Sequence, residues 1–182
     1  MVPCYVKRLC LLLGVLGLLS ACSAQERAQM IGTLGPSFDC VLETQERYIV
    51  GEPVELRFSL HNRTDRTLYV LTWYTPLEGL AGEILRLTRD GNPVPYQGML
   101  AKRGDPTAEE YVAIQAGATA DGVVDLGESY DLSPVGRYEV VFTSRLDDVV
   151  DRLSQVPRKR DHHQSHDVSC TIAAFEIASP DG

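Results

Sequence analysis

The side chains best suited to metal chemistry lie close together near the carboxyl end of the sequence. The cluster contains three histidines and two aspartates, which are Asp161, His162, His163, His166 and Asp167. Imidazole and carboxylate groups are common ligands of zinc and copper. The run 158–160 (RKR) precedes them, and its positive charge opposes a bound cation. The sequence therefore favours a charged, solvated loop at 158–167, with metal binding through His162, His163 and His166 as the alternative.

A nucleophile is the second chemistry that the sequence could supply. Cys170 follows His166 by four positions, and a thiol beside a base can act as a nucleophile. The serines do not form a nucleophile-elbow pattern, and the glycines do not form a phosphate-binding loop. We therefore expect no catalytic residue, no cofactor and a non-catalytic function.

Cysteine usage favours a structural role for Cys170 instead. Of the five cysteines, Cys4 and Cys10 lie in an amino-terminal targeting segment, and Cys40 and Cys170 remain as a pair in the body of the chain. A pair in an oxidising compartment predicts a disulfide. It would close a loop of about 130 residues, and the chain-entropy model gives it at most roughly 5 kcal/mol.

The amino-terminal segment indicates where the protein resides. Lys7 and Arg8 precede the apolar run 9–19, which is too short to span a bilayer and is typical of a signal peptide. Residues 19–22 (LSAC) resemble the lipobox of bacterial lipoproteins, which implies cleavage after residue 21 and lipidation of Cys22 by palmitate-like acyl chains. Ser23 then favours the outer membrane of a bacterial cell envelope. An ordinary secretory signal cleaved nearby is the alternative.

The charge of the chain excludes one class of partner. The net charge is −8, and it becomes more negative when the segment containing Lys7 and Arg8 is removed. An acidic protein is a poor ligand for nucleic acid or for an anionic lipid surface. We therefore expect no nucleic acid partner and a membrane association through the lipid alone.

Short alternating segments predict the fold. Residues 54–60 alternate apolar and polar side chains, as half-buried strands do, and eight or nine such segments are separated by turns. Asp90-Gly91-Asn92 predicts a tight hairpin, and Tyr138 resembles the tyrosine corner of immunoglobulin-like domains. The interpretation is an all-β, immunoglobulin-like antiparallel β-sandwich over 38–178, with a signal peptide at 1–21, a tether at 22–37 and a disordered tail at 179–182.

Three finer expectations follow from the same patterns. Residues 147–153 are predicted to form a short helical turn, and residues 94–96 to form the returning strand of the hairpin. The last strand is predicted at 169–177, with Cys170, Ile172, Ala174 and Glu176 on one face.

Several separated segments resemble the N-terminal, non-catalytic domain of bacterial deuterolysin-type (M35) zinc metalloendopeptidases. The segments are 73–80 (WYTPLEGL), 88–96 (TRDGNPVPY), 102–103 (KR) with 106–111 (PTAEEY), 130–132 (YDL) and 136–138 (GRY), within residues 56–143. Those peptidases hold zinc through a His-Glu-x-x-His motif, which this sequence lacks, so no catalytic residue carries over. The resemblance implies a domain that accompanies, folds or restrains a peptidase.

A protein-binding surface is therefore the functional prediction. Tyr74, Pro76 and Leu77 could form an apolar, partner-binding surface, whereas Trp73 is expected in the core. The predicted partner is a protein, with a secreted metalloendopeptidase as the best-motivated candidate. A structural or adhesive envelope module without a peptidase partner is the alternative.

Overall fold

The computed structural model describes residues 37–180, and eleven β-strands account for its regular structure. In chain order they are β1 (Phe38–Glu43), β2 (Arg47–Ile49), β3 (Glu55–Asn62), β4 (Leu68–Leu71), β5 (Leu85–Arg89), β6 (Asn92–Val94), β7 (Tyr111–Ile114), β8 (Thr119–Asp125), β9 (Gly136–Phe142), β10 (Val149–Val150) and β11 (Ala173–Ala178). Single 3₁₀ turns lie at Ala108–Glu110, Leu126–Glu128, Leu153–Gln155 and Arg160–His162. The predicted signal peptide, the lipidation site at Cys22, the tether up to residue 36 and the last two residues of the tail lie outside the described residues.

The strands form three sheets that enclose one interior. Their orders are β1-β3-β8, β10-β4-β7 and β2-β11-β9-β5-β6. All strand pairs are antiparallel except β2 with β11, which run parallel. The chain is therefore an all-β sandwich, as the alternating segments predict.

The alternation in β3 shows why the sequence folds this way. Leu56, Phe58 and Leu60 are completely buried, while Glu55 and Arg57, at alternate positions, are exposed. Period-2 patterning places every second side chain on one face of a strand. The apolar face of β3 meets the apolar face of β9 across the sandwich, with the Phe58 and Phe142 ring centroids 5.6 Å apart.

The tyrosine corner is present at the start of β9. The Tyr138 side chain is completely buried, and its hydroxyl donates a hydrogen bond to the Pro134 carbonyl oxygen at 2.6 Å. Its ring stacks on Phe175 of β11 with centroids 5.1 Å apart. This bond fixes the approach to β9 in the way that it does in immunoglobulin-like sandwiches.

The hairpin between β5 and β6 is confirmed, with a shift in its second strand. Asp90 and Gly91 both have positive φ, 49° and 79°, as a two-residue type I′ turn requires. Because the turn contains only two residues, the returning strand begins at Asn92 and ends at Val94. The prediction of a strand over 94–96 was wrong, since Tyr96 instead makes an isolated bridge to Tyr130.

The last strand begins at Ala173, four residues later than predicted, and the predicted face with Ala174 and Glu176 is its exposed face. Ala173, Phe175 and Ile177 are buried, whereas Ala174 and Glu176 are exposed and Ile172 is 64% exposed. Residue 170 instead makes an isolated bridge to Cys40 of β1 in the first sheet, and the pairing with β9 of the five-stranded sheet starts only at Ala173.

Residues 147–153 do not form the predicted helical turn. Val149 and Val150 pair with Val70 and Tyr69 of β4 as the edge strand β10. Both valines are buried, and β-branched side chains favour a strand over a helix. A single 3₁₀ turn follows only at Leu153–Gln155.

The predicted disulfide is present. Cys40 in β1 is bonded to Cys170, across 130 positions of sequence, with their Cα atoms 4.4 Å apart. Cys40 is buried and Cys170 is partly buried. Over residues 37–180, none of the helical segments has the length and apolar character needed to cross a membrane.

Candidate functional site

Two neighbouring loops form the candidate site, and we call them the paired loops. The first loop, 72–84, joins β4 to β5, and the second loop, 95–107, follows β6. Three contacts join them: Glu78 Oε2 to Arg103 Nη2 at 2.6 Å, the Tyr96 hydroxyl to the Leu80 carbonyl oxygen at 3.0 Å, and the Ala101 amide to the Ala81 carbonyl oxygen at 2.9 Å. The loops therefore form one surface, although they are separated in sequence by a hairpin.

The first loop is held in a tight conformation by its own polar groups. The Thr75 hydroxyl donates to the Thr72 carbonyl oxygen at 2.6 Å, and Glu78 Oε1 accepts from the Tyr74 amide at 2.8 Å. Tyr74 has a φ of 57°, which is uncommon for a residue with a bulky side chain. Strained residues of this kind are concentrated at functional sites, and Tyr74 belongs to the predicted partner-binding set.

Trp73 belongs to the first loop, and its side chain is 2% exposed, which confirms that it is a core residue. It packs with Leu71 and Tyr111 in a small apolar cluster separate from the main core. The indole Nε1 donates to Glu110 Oε1 at 2.7 Å, so the one polar atom of the ring is satisfied.

Arg103 of the second loop lies over the Trp73 ring. Its guanidinium carbon lies 4.9 Å from the centroid of the Trp73 ring and 6.0 Å from that of Tyr74. The side chain is only 14% exposed and also approaches Glu110, with Nη1 and Oε1 4.0 Å apart. Arg103 thus connects both loops to the segment before β7. Its guanidinium group approaches the carboxylates of Glu78 and Glu110 and stacks on the Trp73 ring.

The two carboxylates beside Arg103 have pKa values shifted in opposite directions. Burial raises the pKa of Glu78, although the Tyr74 amide and Arg103 act against this rise. The pKa of Glu110 is lowered, chiefly by the hydrogen bond that its carboxylate accepts from the Thr107 amide at 2.7 Å, and further by Trp73 and Arg103. Glu110 therefore favours its charged form in this fold.

The predicted partner-binding residues are not equally accessible. Tyr74 and Leu77 are half-buried, and both pack partly against the core. Pro76 is buried, and its carbonyl group lies over Gly122 of β8, where a Cβ atom would overlap it. Tyr74 and Leu77 remain candidates for partner contact, whereas the Pro76 side chain is turned away from the surface.

Two exposed apolar residues were missed by the sequence analysis. Met99 and Leu100 of the second loop are 69% and 74% exposed. The signal that could have identified them is two consecutive large apolar residues inside a loop that is otherwise rich in Gly, Pro and charge.

The histidines of 158–167 are separated by the fold. His163 has a side chain only 7% exposed, with Nδ1 3.0 Å from Asp147 Oδ2 and Nε2 3.1 Å from the Arg158 carbonyl oxygen. Its ring also meets the edge of Trp73 at 6.2 Å. His162 is 70% exposed, as a solvated loop predicts, but for His163 that prediction was wrong.

The rest of this segment is anchored by a buried carboxylate. Asp148 is completely buried and accepts hydrogen bonds from Arg158 Nη1 at 3.0 Å, the Tyr111 hydroxyl at 2.8 Å and the Gln164 amide at 2.8 Å. Burial raises the pKa of Tyr111, and its bond to Asp148 adds to the rise. Within residues 37–180 no three His, Cys, Asp or Glu side chains are grouped in a way that could hold a metal ion.

Residues from separate segments that resemble the metalloendopeptidase domain are in contact at the paired loops. Trp73 and Glu78 come from the segment 73–80, Arg103 from 102–103, and Glu110 and Tyr111 from 106–111. In the structure these five side chains form one continuous network of stacking, ion pairs and hydrogen bonds. The residues that carry the resemblance therefore build the support of the candidate site.

A comparison with known proteins agrees with part of that resemblance. The chain is 29% identical over 89 residues to an extracellular protease of Aeromonas hydrophila, a match that covers 49% of this chain and 25% of that protein. The chain thus matches only a quarter of the length of this relative. No family model matches the sequence.

Solved structures offer only distant similarities. A mutant β-glucosidase of Listeria innocua in complex with laminaribiose has a TM-score of 0.34 at 12% identity, over 78% of this chain and 16% of that one. A CARDB domain from Pyrococcus furiosus has a TM-score of 0.30 at 10% identity, over 79% of this chain and 96% of that one. Scores this low transfer neither an architecture nor a function.

Proposed function

We propose that this β-sandwich is a non-catalytic domain that binds and restrains an extracellular metalloendopeptidase of the deuterolysin type. The observation that carries the proposal is the 29% identity over 89 residues to an extracellular protease. The partner in this proposal is a peptidase catalytic domain of the kind that the related N-terminal domain accompanies.

The geometry of the paired loops supports a binding role. Arg103 fixes the second loop to Trp73 and Glu78, and Tyr74 is held at positive φ by its bond to Glu78. A surface that is already ordered loses less conformational entropy on association, so more of the contact energy appears as affinity. The loops therefore suit recognition of a folded partner.

The proposed location follows from Cys22. A lipid on this cysteine would hold the domain at the bacterial envelope, on the outer membrane, where it meets secreted peptidases before they diffuse away. Expression with an alkynyl palmitate analogue tests this step. Wild-type protein should carry the label and sediment with membranes, and the Cys22→Ser variant should do neither; an unlabelled, soluble wild-type protein would remove the anchor from the proposal.

The binding step is tested with the purified chain from residue 22 onward. We expect it to form a complex with a deuterolysin-type peptidase in isothermal titration calorimetry and to slow casein hydrolysis in proportion to the complex formed. A serine peptidase is the specificity control and should be neither bound nor slowed. If the metalloendopeptidase shows no complex and no loss of activity, the proposed function is wrong.

A further inference from the structure

We infer that residues 98–100, which we call the apolar tip, enter the substrate cleft of the peptidase partner. This inference rests on the proposed function and names the surface that performs it. Met99 and Leu100 supply the apolar contact, and the paired loops hold them in position.

Exposure distinguishes these two residues from other apolar side chains on the surface. In the described part of the chain, four other large apolar side chains are strongly exposed, namely Val123, Val135, Leu153 and Ile172. Each of those stands alone, and isolated exposed apolar residues are normal in soluble proteins. Met99 and Leu100 are consecutive, so one contact can bury both, and the apolar area removed from water contributes to affinity.

The tip is rigid at both of its flanks. The Gln97 amide donates to the Ser129 carbonyl oxygen at 2.8 Å, and the Ala101 amide donates to the Ala81 carbonyl oxygen at 2.9 Å. Gly98 lies so close to the Ser129 hydroxyl and the Tyr96 ring that a Cβ atom there would overlap them. A short segment fixed in this way keeps Met99 and Leu100 exposed instead of letting them fold back on the domain.

The shape and chemistry of the apolar tip favour the substrate cleft of a peptidase as the site in which it binds. A projecting pair of apolar side chains fits a concave, largely apolar site, and such sites bind extended segments of chain. A bilayer is disfavoured because two apolar residues anchor weakly and the net charge of −8 repels anionic lipid. A second copy of this chain could bind the apolar tip only through a concave apolar site on its own surface.

The carbonyl group of Met99 explains why the tip would restrain a peptidase rather than serve as its substrate. The Tyr96 hydroxyl lies 2.7 Å from the Met99 carbonyl oxygen and 3.0 Å from the Leu80 carbonyl oxygen. A peptidase must bring the carbonyl oxygen of the bond that it hydrolyses to its own catalytic groups, and the Tyr96 contact holds this oxygen toward the domain instead. The Tyr96 bond therefore opposes hydrolysis of the Met99–Leu100 peptide bond.

The first experiment compares Leu100→Asp with Leu153→Asp, a matched change at a side chain that is 65% exposed in another loop. Dissociation constants for the metalloendopeptidase are measured by calorimetry, and thermal unfolding checks that both variants fold. We expect Leu100→Asp to weaken binding by roughly tenfold or more, and Leu153→Asp to leave it unchanged. Met99→Asp should behave as Leu100→Asp does.

The outcomes separate this inference from the proposed function. If wild type binds and Leu100→Asp binds equally well, the tip is not the contact and the proposed function stands. If wild type does not bind, both are wrong. Self-association, or sedimentation with vesicles of phosphatidylethanolamine and phosphatidylglycerol, that is lost in Leu100→Asp would assign the tip to another occupant and overturn the inference.

A second experiment uses Tyr96→Phe, which removes the hydroxyl and keeps the ring that packs against Tyr130 at 5.5 Å. Each protein is incubated with excess metalloendopeptidase, and fragments are identified by mass spectrometry after reduction of the disulfide. Hydrolysis adds one water across the Met99–Leu100 amide, giving a carboxylate on Met99 and an ammonium on Leu100. We expect this cut several-fold faster in Tyr96→Phe than in wild type; equal rates would remove the role of Tyr96.

Discussion

Arg103 lies over Trp73 with 4.9 Å between the guanidinium carbon and the centroid of the indole ring. The same guanidinium group contacts Glu78 at 2.6 Å. One side chain thus connects the second loop to the first loop and to the aromatic cluster beneath both.

Replacement of Arg103 by Lys is expected to destabilise the domain by about 1–3 kcal/mol. A lysine cannot stack its charge as a plane on Trp73 while also contacting Glu78, and at buried sites the cation–π contact alone is worth about 2 kcal/mol. Urea unfolding measures the change. The control is Arg66→Lys at an ion pair whose side chains are 61% and 43% exposed, where a change under about 1 kcal/mol is expected. Equal losses in both variants would contradict the role given to Arg103.

Asp148→Asn should cost about 3–5 kcal/mol of unfolding free energy. The substitution leaves Arg158, which is 14% exposed, opposite a neutral amide, and removal of one partner of a buried ion pair is strongly destabilising. Asp151→Asn is the control, because Asp151 is 43% exposed. Urea denaturation of the two variants gives the comparison, and a loss below about 1 kcal/mol for Asp148→Asn would mean that this pair does not anchor the segment 158–164.

Acid should destabilise the wild-type domain partly through Glu110. Since the pKa of Glu110 is lowered from its ordinary value of 4.5, its contribution to stability is present above pH 4.5 and is lost as the pH falls through the folded-state pKa. Glu110→Gln removes this contribution, so its melting temperature should fall less between about pH 5 and pH 3 than that of wild type.

The prediction for Glu78 has the opposite sign, because its pKa is raised and not lowered. Its raised pKa means that the folded protein takes up a proton more readily than the unfolded chain, which favours folding as the pH is lowered. Glu78→Gln should therefore make the acid-induced fall in melting temperature steeper than in wild type. Calorimetric scans across the same pH range measure both variants, and slopes that change in the same direction would contradict these assignments.

Gly122→Ala is expected to displace the first loop from β8. The Pro76 carbonyl group occupies the place that the alanine Cβ would need, so either the loop or the strand must move. Overpacking of this kind costs typically about 1–3 kcal/mol. The control is Gly104→Ala, because nothing lies near a Cβ atom at that position. Equal stability of the two variants in urea would show that the contact is easily relaxed.

The fold was accessible from the sequence where alternation was continuous. In β1, β3 and β9 the apolar residues at every second position are the buried ones, and Asp90-Gly91 carries its own turn geometry. The prediction failed at residues 169–177, because residue 170 pairs with β1 of another sheet and the strand starts only at Ala173, a boundary that no periodicity marks. It failed at Val149 because two residues are too few to display a period.

The candidate site was only partly accessible for a related reason. The burial of Trp73 follows from its size and its position at the end of a strand. The meeting of Arg103 with Trp73 and Glu78 depends on how two loops pack after the hairpin between them has formed. Likewise, nothing in the run 158–167 indicates that His163 finds Asp147 while His162 remains in solvent.

The bond between Cys40 and Cys170 has a consequence for survival in a proteolytic environment. Nearly every loop of the described domain lies between these two positions, so a peptidase that cuts one loop produces two fragments that stay covalently attached. The severed halves cannot diffuse apart, and their strands remain at high effective concentration for one another. A domain with this disulfide tolerates a single cut in a loop that would let the two fragments of a sandwich without the disulfide separate.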